Sequence, residues 1–425
     1  MIVKKHSALH LLEDGQQVCT AGRVRKSEQG LELFNLFERL GLVSPRSGGL
    51  KGLRDGDLVR VEGKKQNGEL EVSDWELISR PEQAKAPALE EGRSVPLGEA
   101  LRARATLNQK VRHFFADRGF LEVETPAMTR APGTDPYLEP VRADYVSAQE
   151  DQRERAYLHT SPELKMKRLL ASGSGPIYQF TRVWRNGEVT ALHNPEFTIL
   201  EWYRPWEGVR EIMADVEDLV REVLDEKSGR PLQEAPVEMT MQEVVERCCG
   251  FDLLECLSAD SLREELLCRG LISTRAAQGA DWDELFFSLT VSHLDPFLAS
   301  LGAVVVTRWP APLAVLARKC ADDPRVAERF ELYLDGVELA NGFGELVDPR
   351  EQRRRFQEDN EKRRELGLEE MEMPEDFLEA LQWGMPPSAG VALGVDRLLM
   401  LAVGAGEIRE VAPFALHRRQ GKICW

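Results

Sequence analysis

At 425 residues with 42% hydrophobic content, the chain is long enough for one large core and a smaller satellite domain. Its net charge of −17 argues against broad adhesion to nucleic acid or anionic membrane. No uncharged apolar run approaches the roughly 18 residues a membrane helix needs, and the first ten residues lack a secretory h-region. Seven cysteines with no C-x-x-C pair argue against a disulfide framework or zinc site and fit a reducing cytoplasm.

The charge is unevenly spread. Residues 1–85 hold 14 Lys and Arg against 13 Asp and Glu, so the remainder carries a net −18. Short strand-like runs fill the neutral part. Gln17 to Val24 leads through a Gln-Gly turn to Leu31–Phe37; Asp57–Gly63 alternates at period 2; Glu69–Ile78 follows an Asn67-Gly68 turn signal. Several short strands in residues 1–80 predict a small OB-like β-barrel. Phe34, Phe37 and Trp75 either stack nucleic-acid bases there or fill the barrel core, the second being the better supported. Pro81–Pro96, rich in Pro, Ala and charge without periodicity, reads as a linker.

Residues 97–425 then read as one α+β domain. Leu101–Arg118 is a helix by the spacing of Leu107, Val111 and Phe114, ended by Gly119. Helices and strands follow without strict βα alternation, which predicts a mainly antiparallel sheet. Ile177–Trp184 and Glu196–Tyr203 flank a polar loop that starts at Asn186-Gly187, a hairpin with Arg185 at the loop entrance. A forked, permanently charged guanidinium there suits an α-phosphate; taken alone it reads better as a solvated loop cation, and the neighbouring segments change that balance.

Asp335-Gly336 is a two-residue hairpin turn. It predicts pairing of Leu334 with Val337, Tyr333 with Glu338 and Glu331 with Ala340. Glu331 and Glu338 then share a face, as solvent-facing carboxylates or as Mg²⁺ ligands opposite ATP phosphates. The apolar Phe330, Leu332, Leu339 and Phe343 favour a buried sheet, and Glu345 beyond it suits a substrate ammonium. Ser388–Ala402 reads as a glycine-containing strand running into an apolar helix with Arg397 in its first turn. That arrangement suits a flat ring such as adenine or a terminal phosphate, or merely an ion pair with Asp396.

These three stretches resemble motif 2, the following hairpin and motif 3 of class II aminoacyl-tRNA synthetases, and Gly119–Pro126 is similar to motif 1, the dimer element of that class. The resemblance covers residues 97–415. His193–Thr198 and Glu338–Phe343 resemble the lysyl branch. Within it, Ser161-Pro162-Glu163, Glu201-Trp202-Tyr203-Arg204 and Ala392 resemble the elongation factor P–(R)-β-lysine ligase family. That resemblance implies amino-acid contacts at Ser161, Glu163, Tyr203, Glu345 and Ala392. It implies ATP contacts at Arg185, Glu188, Asn194, Glu338, Leu339, Gly394 and Arg397, with Arg185 and Arg397 catalytic and Glu331 and Glu338 holding Mg²⁺. It further implies ATP-dependent activation of lysine or (R)-β-lysine, transfer to a lysine of elongation factor P, a homodimer and a cytoplasmic setting.

Two departures stand out. Gly187 occupies a motif 2 loop position that often carries Glu, with Glu188 next. The OB-like domain is foreign to that ligase family and resembles the lysyl-tRNA synthetase version, which keeps a shortened synthetase charging tRNA as the alternative. A catalytically silent, ligand-binding paralogue is the third reading, opposed by the intact Arg185, Glu331, Glu338 and Arg397.

Overall fold

The computed structural model describes residues 7–45, 49–82, 93–146, 153–225, 232, 234–419 and 422–424. The chain divides into two compact units, one up to Arg102 and one from Ala103 onward.

In the first unit, β1 (Gln17–Ser27), β2 (Gly30–Phe34), β3 (Arg39–Val43), β4 (Leu58–Gln66) and β5 (Glu69–Ser79) close into a barrel in the order β1-β2-β3-β5-β4. Asn67 and Gly68 both take positive φ, 51° and 79°, as a two-residue hairpin between twisted strands requires. The interior is aliphatic: Val18, Val24, Leu33, Leu40, Val59, Val61 and Leu70 are buried. The core reading of the aromatics therefore holds in part: Trp75 packs against this aliphatic core, whereas Phe34 and Phe37 do not belong to it. Alternation on β2 turns Leu33 inward and leaves Phe34 half-buried; Phe37 and Trp75 are half-buried as well. The Trp75 indole N–H donates to the Gly49 carbonyl at 2.9 Å. Most of the expected linker, residues 83–92, lies outside the described residues.

The second unit is built on an eight-stranded sheet. Its members are β6 (Leu121–Glu122), β10 (Ile177–Trp184), β11 (Glu196–Pro205), β12 (Val237–Thr240), β13 (Ala303–Pro310), β14 (Val326–Leu334), β15 (Val337–Gly344) and β16 (Ser388–Gly394). The order is β12-β13-β14-β15-β16-β11-β10-β6, antiparallel except for the pair at each edge. A separate three-stranded sheet holds β7 (Met128–Thr129), β8 (Val141–Val146) and β9 (Arg153–Leu158).

One face of the large sheet is closed by helices. Helix α1 (Leu97–Asp117) begins four residues before the predicted start and stops before Gly119, which takes φ 73°. Its Leu107, Val111, Phe114 and Phe115 are buried together with residues of α3 (Val209–Val223) and α11 (Val395–Val403). The Phe115 ring stacks on Tyr178 at 4.4 Å and meets Trp202 edge-on at 5.3 Å. Each such aromatic pair adds about 1 kcal/mol beyond area burial.

The other face is only partly covered. Helix α2 (Glu163–Ala171) and α10 (Glu375–Trp383) pack over one end in a core that includes Phe356 of α9 (Pro349–Glu365). Between β12 and β13 the chain inserts α4 (Met241–Cys249), α5 (Ala259–Cys268), α6 (Thr274–Ala277), α7 (Trp282–Leu289) and α8 (Asp295–Ser300) around their own core of Val245, Leu262, Leu285, Phe286 and Leu294.

Candidate active site

The period-2 alternation of a strand makes the site. Along β11, Leu200 and Trp202 are in the helix-covered core, whereas Ile199, Glu201 and Tyr203 face an open cavity. Along β14, Phe330 and Leu332 are core, and Arg329, Glu331 and Tyr333 face the cavity. Along β16 the cavity side is Gly390, Ala392 and Gly394.

Register aligns these positions across strands. Gln179 pairs with Glu201, Glu201 with Ala392, Ala392 with Asn341, and Asn341 with Glu331. The sequence reading placed Glu331 opposite Ala340. A bulge between Leu332 and Tyr333 moves its partner to Asn341. The turn itself is as expected, with Asp335 at φ 49° and Gly336 at 77°. Glu331 and Glu338 remain on the cavity side.

One cavity of about 1230 Å³ collects Ser161, Glu163, Arg185, Asn194, Tyr203, Glu331, Glu338, Leu339, Glu345, Ala392, Gly394 and Arg397. Of the residues expected to contact amino acid, ATP or Mg²⁺, Glu188 alone is missing from this lining. Burial pushes the Glu188 carboxyl up, while Arg185 and Arg397 pull it down, so it lies within the field of both arginines.

At one end the groups are cationic. Arg185 follows β10; its backbone N–H donates to Pro195 O at 2.9 Å and its guanidinium lies 5.0 Å from the Phe197 ring centre. Its Nε is buried without a hydrogen-bond partner. Arg397 donates to the Glu338 carbonyl at 2.7 Å and to His193 Nε2 at 2.7 Å. Burial and the Arg397 charge depress the His193 imidazole to about 4, so it is neutral at pH 7. Its Nε2 then accepts from Arg397, and Nδ1–H donates to Thr190 Oγ1 at 2.8 Å. Asp396 does not pair with Arg397. It ion-pairs with Arg104 of α1 and accepts from the Thr198 N–H at 2.7 Å, which pins the start of α11 to β11. Asn194 is held by Leu416 N–H to Oδ1 at 2.8 Å.

The opposite end is acidic and dry. Glu201 and Glu345 are 2% and 1% exposed. Ser161 Oγ donates to Glu201 at 2.8 Å and Tyr203 O–H donates to it at 3.2 Å. Burial and the neighbouring Glu163 push the Glu201 carboxyl up to about 8. Glu345 Oε1 is buried without a hydrogen-bond partner, and burial raises that carboxyl too, against the pull of Lys167. Lys167 of α2 ion-pairs with both Glu163 and Glu345 at 2.5 Å.

The sequence reading missed Glu201, Lys167, Asn341 and His193. The i, i+4 spacing of Glu163 and Lys167 was a usable signal, and His193 lay inside a quoted motif. Trp202, read as a family marker, faces the core and not the cavity.

Between the ends sits Glu331. It accepts from Arg329 at 2.5 Å, from Tyr333 and from Asn341 Nδ2 at 2.9 Å. Burial raises its carboxyl in spite of Arg329. Glu338 is 3.5 Å from Arg397, and Asn341 Oδ1 is buried without a hydrogen-bond partner. Two carboxylates and a free amide oxygen are a hard-oxygen set that suits Mg²⁺ when phosphates and water complete it. Among the described residues no group of three or more His, Cys, Asp and Glu forms a metal cluster of its own.

An antiparallel sheet with one open face, a cationic anchor pair at one end and a buried acidic pocket at the other defines an ATP-dependent, synthetase-like amino-acid ligase. The model for class II tRNA synthetases (D, K and N) matches residues 82–418. Elongation factor P–(R)-β-lysine ligase of Edwardsiella ictaluri is 44% identical over 326 residues, which is 76% of this chain and 97% of the relative. That of Proteus mirabilis is 45% identical over 316 residues, 74% and 94% of the two chains. The chain belongs to the class II (D, K and N) synthetase family, in its elongation factor P–(R)-β-lysine ligase branch.

Proposed function

We propose that this protein activates lysine or (R)-β-lysine with ATP and transfers the aminoacyl group to a lysine side chain of elongation factor P in the cytoplasm. The acidic pocket carries the reading: buried Glu201 and Glu345, with Glu163 and Tyr203, lie on the cavity that also contains Arg185 and Arg397. Carboxylates out of water demand cations, and a diamine supplies two.

In the first step an oxygen of the amino-acid carboxylate attacks the α-phosphorus of ATP and the bond to the pyrophosphate oxygen breaks. Arg185 holds the α-phosphate and spreads the charge that develops there. Arg397, fixed by Glu338 and His193, holds the outer phosphates. Asn194, Glu188, Leu339 and Gly394 frame the nucleotide. Glu331 and Glu338 would hold Mg²⁺, which would supply positive charge to offset that of the phosphates. No side-chain nucleophile takes part; position and field supply the rate. In the second step the acceptor ε-amine, having lost its proton, attacks the adenylate carbonyl and AMP leaves.

The test offers purified protein, ATP, magnesium and labelled lysine isomers to elongation factor P and total tRNA together. Label on the protein, greater with (R)-β-lysine, is expected. Label on tRNA instead would establish the shortened synthetase, a reading favoured only by the barrel of residues 17–79. We also propose a homodimer, because the short edge strand β6 leaves Leu121 57% exposed.

A further inference from the structure

A lysine without solvent contact is uncommon, since an unpaired ammonium out of water is costly. Lys167 is such a residue: its side chain is 0% exposed. Burial alone would lower its ammonium, but Glu163 and Glu345 more than reverse this and raise it. The two carboxylates come from different parts of the chain. Glu163 opens α2, and Glu345 follows β15. Lys167 is therefore the tie between the helix over the pocket and the sheet beneath it.

The tie continues through the pocket wall. The Glu163 N–H donates to Ser161 Oγ at 3.0 Å, and Ser161 donates in turn to Glu201, which also accepts from Tyr203. Three carboxylates thus share one fixed cation. With all three ionised the wall carries −2, which two ammonium groups of a diamino acid neutralise. Tyr203 and Arg318 also act on these carboxylates, and Arg318 is already engaged by Glu328 at 2.7 Å. A buried ion triad adds little stability, because desolvation offsets the attraction; what it supplies is geometry.

We propose that Lys167 is a positioning residue for amino-acid selection: it stands as a built-in cation between Glu163 and Glu345, holding each with one oxygen bound and the other directed to a substrate ammonium. This deepens the functional reading above and rests on it. Lys167 touches neither substrate nor ATP. Its loss frees Glu163 and Glu345 to move and to take up protons, and it weakens the grip on a diamine without altering the phosphate end.

The experiment measures ATP–pyrophosphate exchange on the full chain, with lysine and ATP varied separately. Lys167→Met is expected to raise the KM for lysine at least 10-fold and to leave the KM for ATP within about twofold. Lys167→Gln, with donors but no charge, is expected to fall between. An unchanged lysine KM, or equal rises in both KM values, overturns the proposal. Should the single variants not fold, Lys167→Met with Glu345→Gln removes a neighbouring charge pair and keeps the wall at −2. That double variant is expected to have a lysine KM at least threefold above Glu345→Gln alone, because Glu163 has also lost its anchor; equality with Glu345→Gln overturns the proposal. Glu163→Gln and Glu345→Gln separate the two levels. If neither changes the lysine KM, the functional reading fails; if both raise it and Lys167→Met does not, only the role of Lys167 fails.

Discussion

Glu201 shows how one side chain can couple proton, substrate and stability. Its folded value of about 8 lies above the ordinary carboxylate value of 4.5, because burial and Glu163 disfavour the charge. Between those two values the folded chain keeps a proton that the unfolded chain has lost, so stability falls as pH rises through that window. Glu201→Gln removes the titration. Thermal melts are expected to show a smaller loss from pH 5.5 to pH 8 in the variant than in the natural protein; parallel curves would mean that Glu201 is ionised throughout. An arriving ammonium favours the carboxylate, so lysine binding near pH 7 should release protons, which calorimetry in buffers of different ionisation enthalpy detects. At the other end of the cavity, Arg185 has a buried Nε without a hydrogen-bond partner. Preorganised charge aimed at a transition state is worth about 3 kcal/mol per donor. Arg185→Ala is expected to lower kcat of pyrophosphate exchange by about 100-fold or more with little change in the KM for lysine. A mainly KM effect would assign Arg185 to ground-state binding instead.

Strand β16 shows what alternation builds and what a single methyl decides. Gly390 faces Tyr203 and Glu345: a Cβ added there would lie 2.2 Å from the Tyr203 ring and 2.7 Å from Glu345 Oε1. Two residues on, Ala392 lies between Glu201 and Asn341. Its methyl is the one that can be removed without disturbing the opposite, core-facing row. Ala392→Gly enlarges the floor of the pocket. A methyl in a pocket is worth roughly 1–3 kcal/mol, so the ratio of kcat/KM for (R)-β-lysine over α-lysine is expected to shift toward α-lysine by about 10-fold or more. An unchanged ratio would remove Ala392 from the selectivity argument. Much of this element was legible in the sequence. Strand-like runs around Asn186-Gly187 placed one hairpin, Asp335-Gly336 set the turn of the other, and Gly119 marked the end of α1. What was not legible was long-range. The bulge beside Tyr333 depends on how β14 and β15 coil within a wide sheet, and it moved Glu331 from Ala340 to Asn341. The meeting of Lys167 with Glu345 depends on α2 packing across strands far away in sequence, and no local periodicity records it. Phe34 departed from the core reading for the opposite reason, while Trp75 does pack on the barrel core. Hydrophobicity alone suggested burial, whereas the pleat turned Phe34 away from the aliphatic interior.

At the scale of the whole molecule, the relatives cover about three quarters of this chain and nearly all of their own length. The family match begins at residue 82, so the barrel of residues 17–79 lies outside it. The cavity described above is lined by residues within 132–408. Under the proposed function, activation of the amino acid therefore falls to the second unit, and the proposed assembly is argued there as well. The large sheet ends on one side in β6, only two residues long and bonded to β10 alone. Short edge strands limit open-ended pairing, but Leu121, 57% exposed, leaves apolar surface at that edge. A two-fold partner would cover it with the same patch of a second copy, since isologous contacts are self-complementary. Leu121→Asp puts a charge at the centre of such a contact, at a side chain already 57% exposed. The natural protein is expected to run as a dimer in light scattering at micromolar concentration and the variant as a monomer, with thermal stability of the monomer reduced by the newly exposed surface. A dimer that survives Leu121→Asp would place the interface elsewhere. A natural protein that is monomeric at all concentrations would show that this sheet edge is finished by its own shortness and that the cavity works without a second copy.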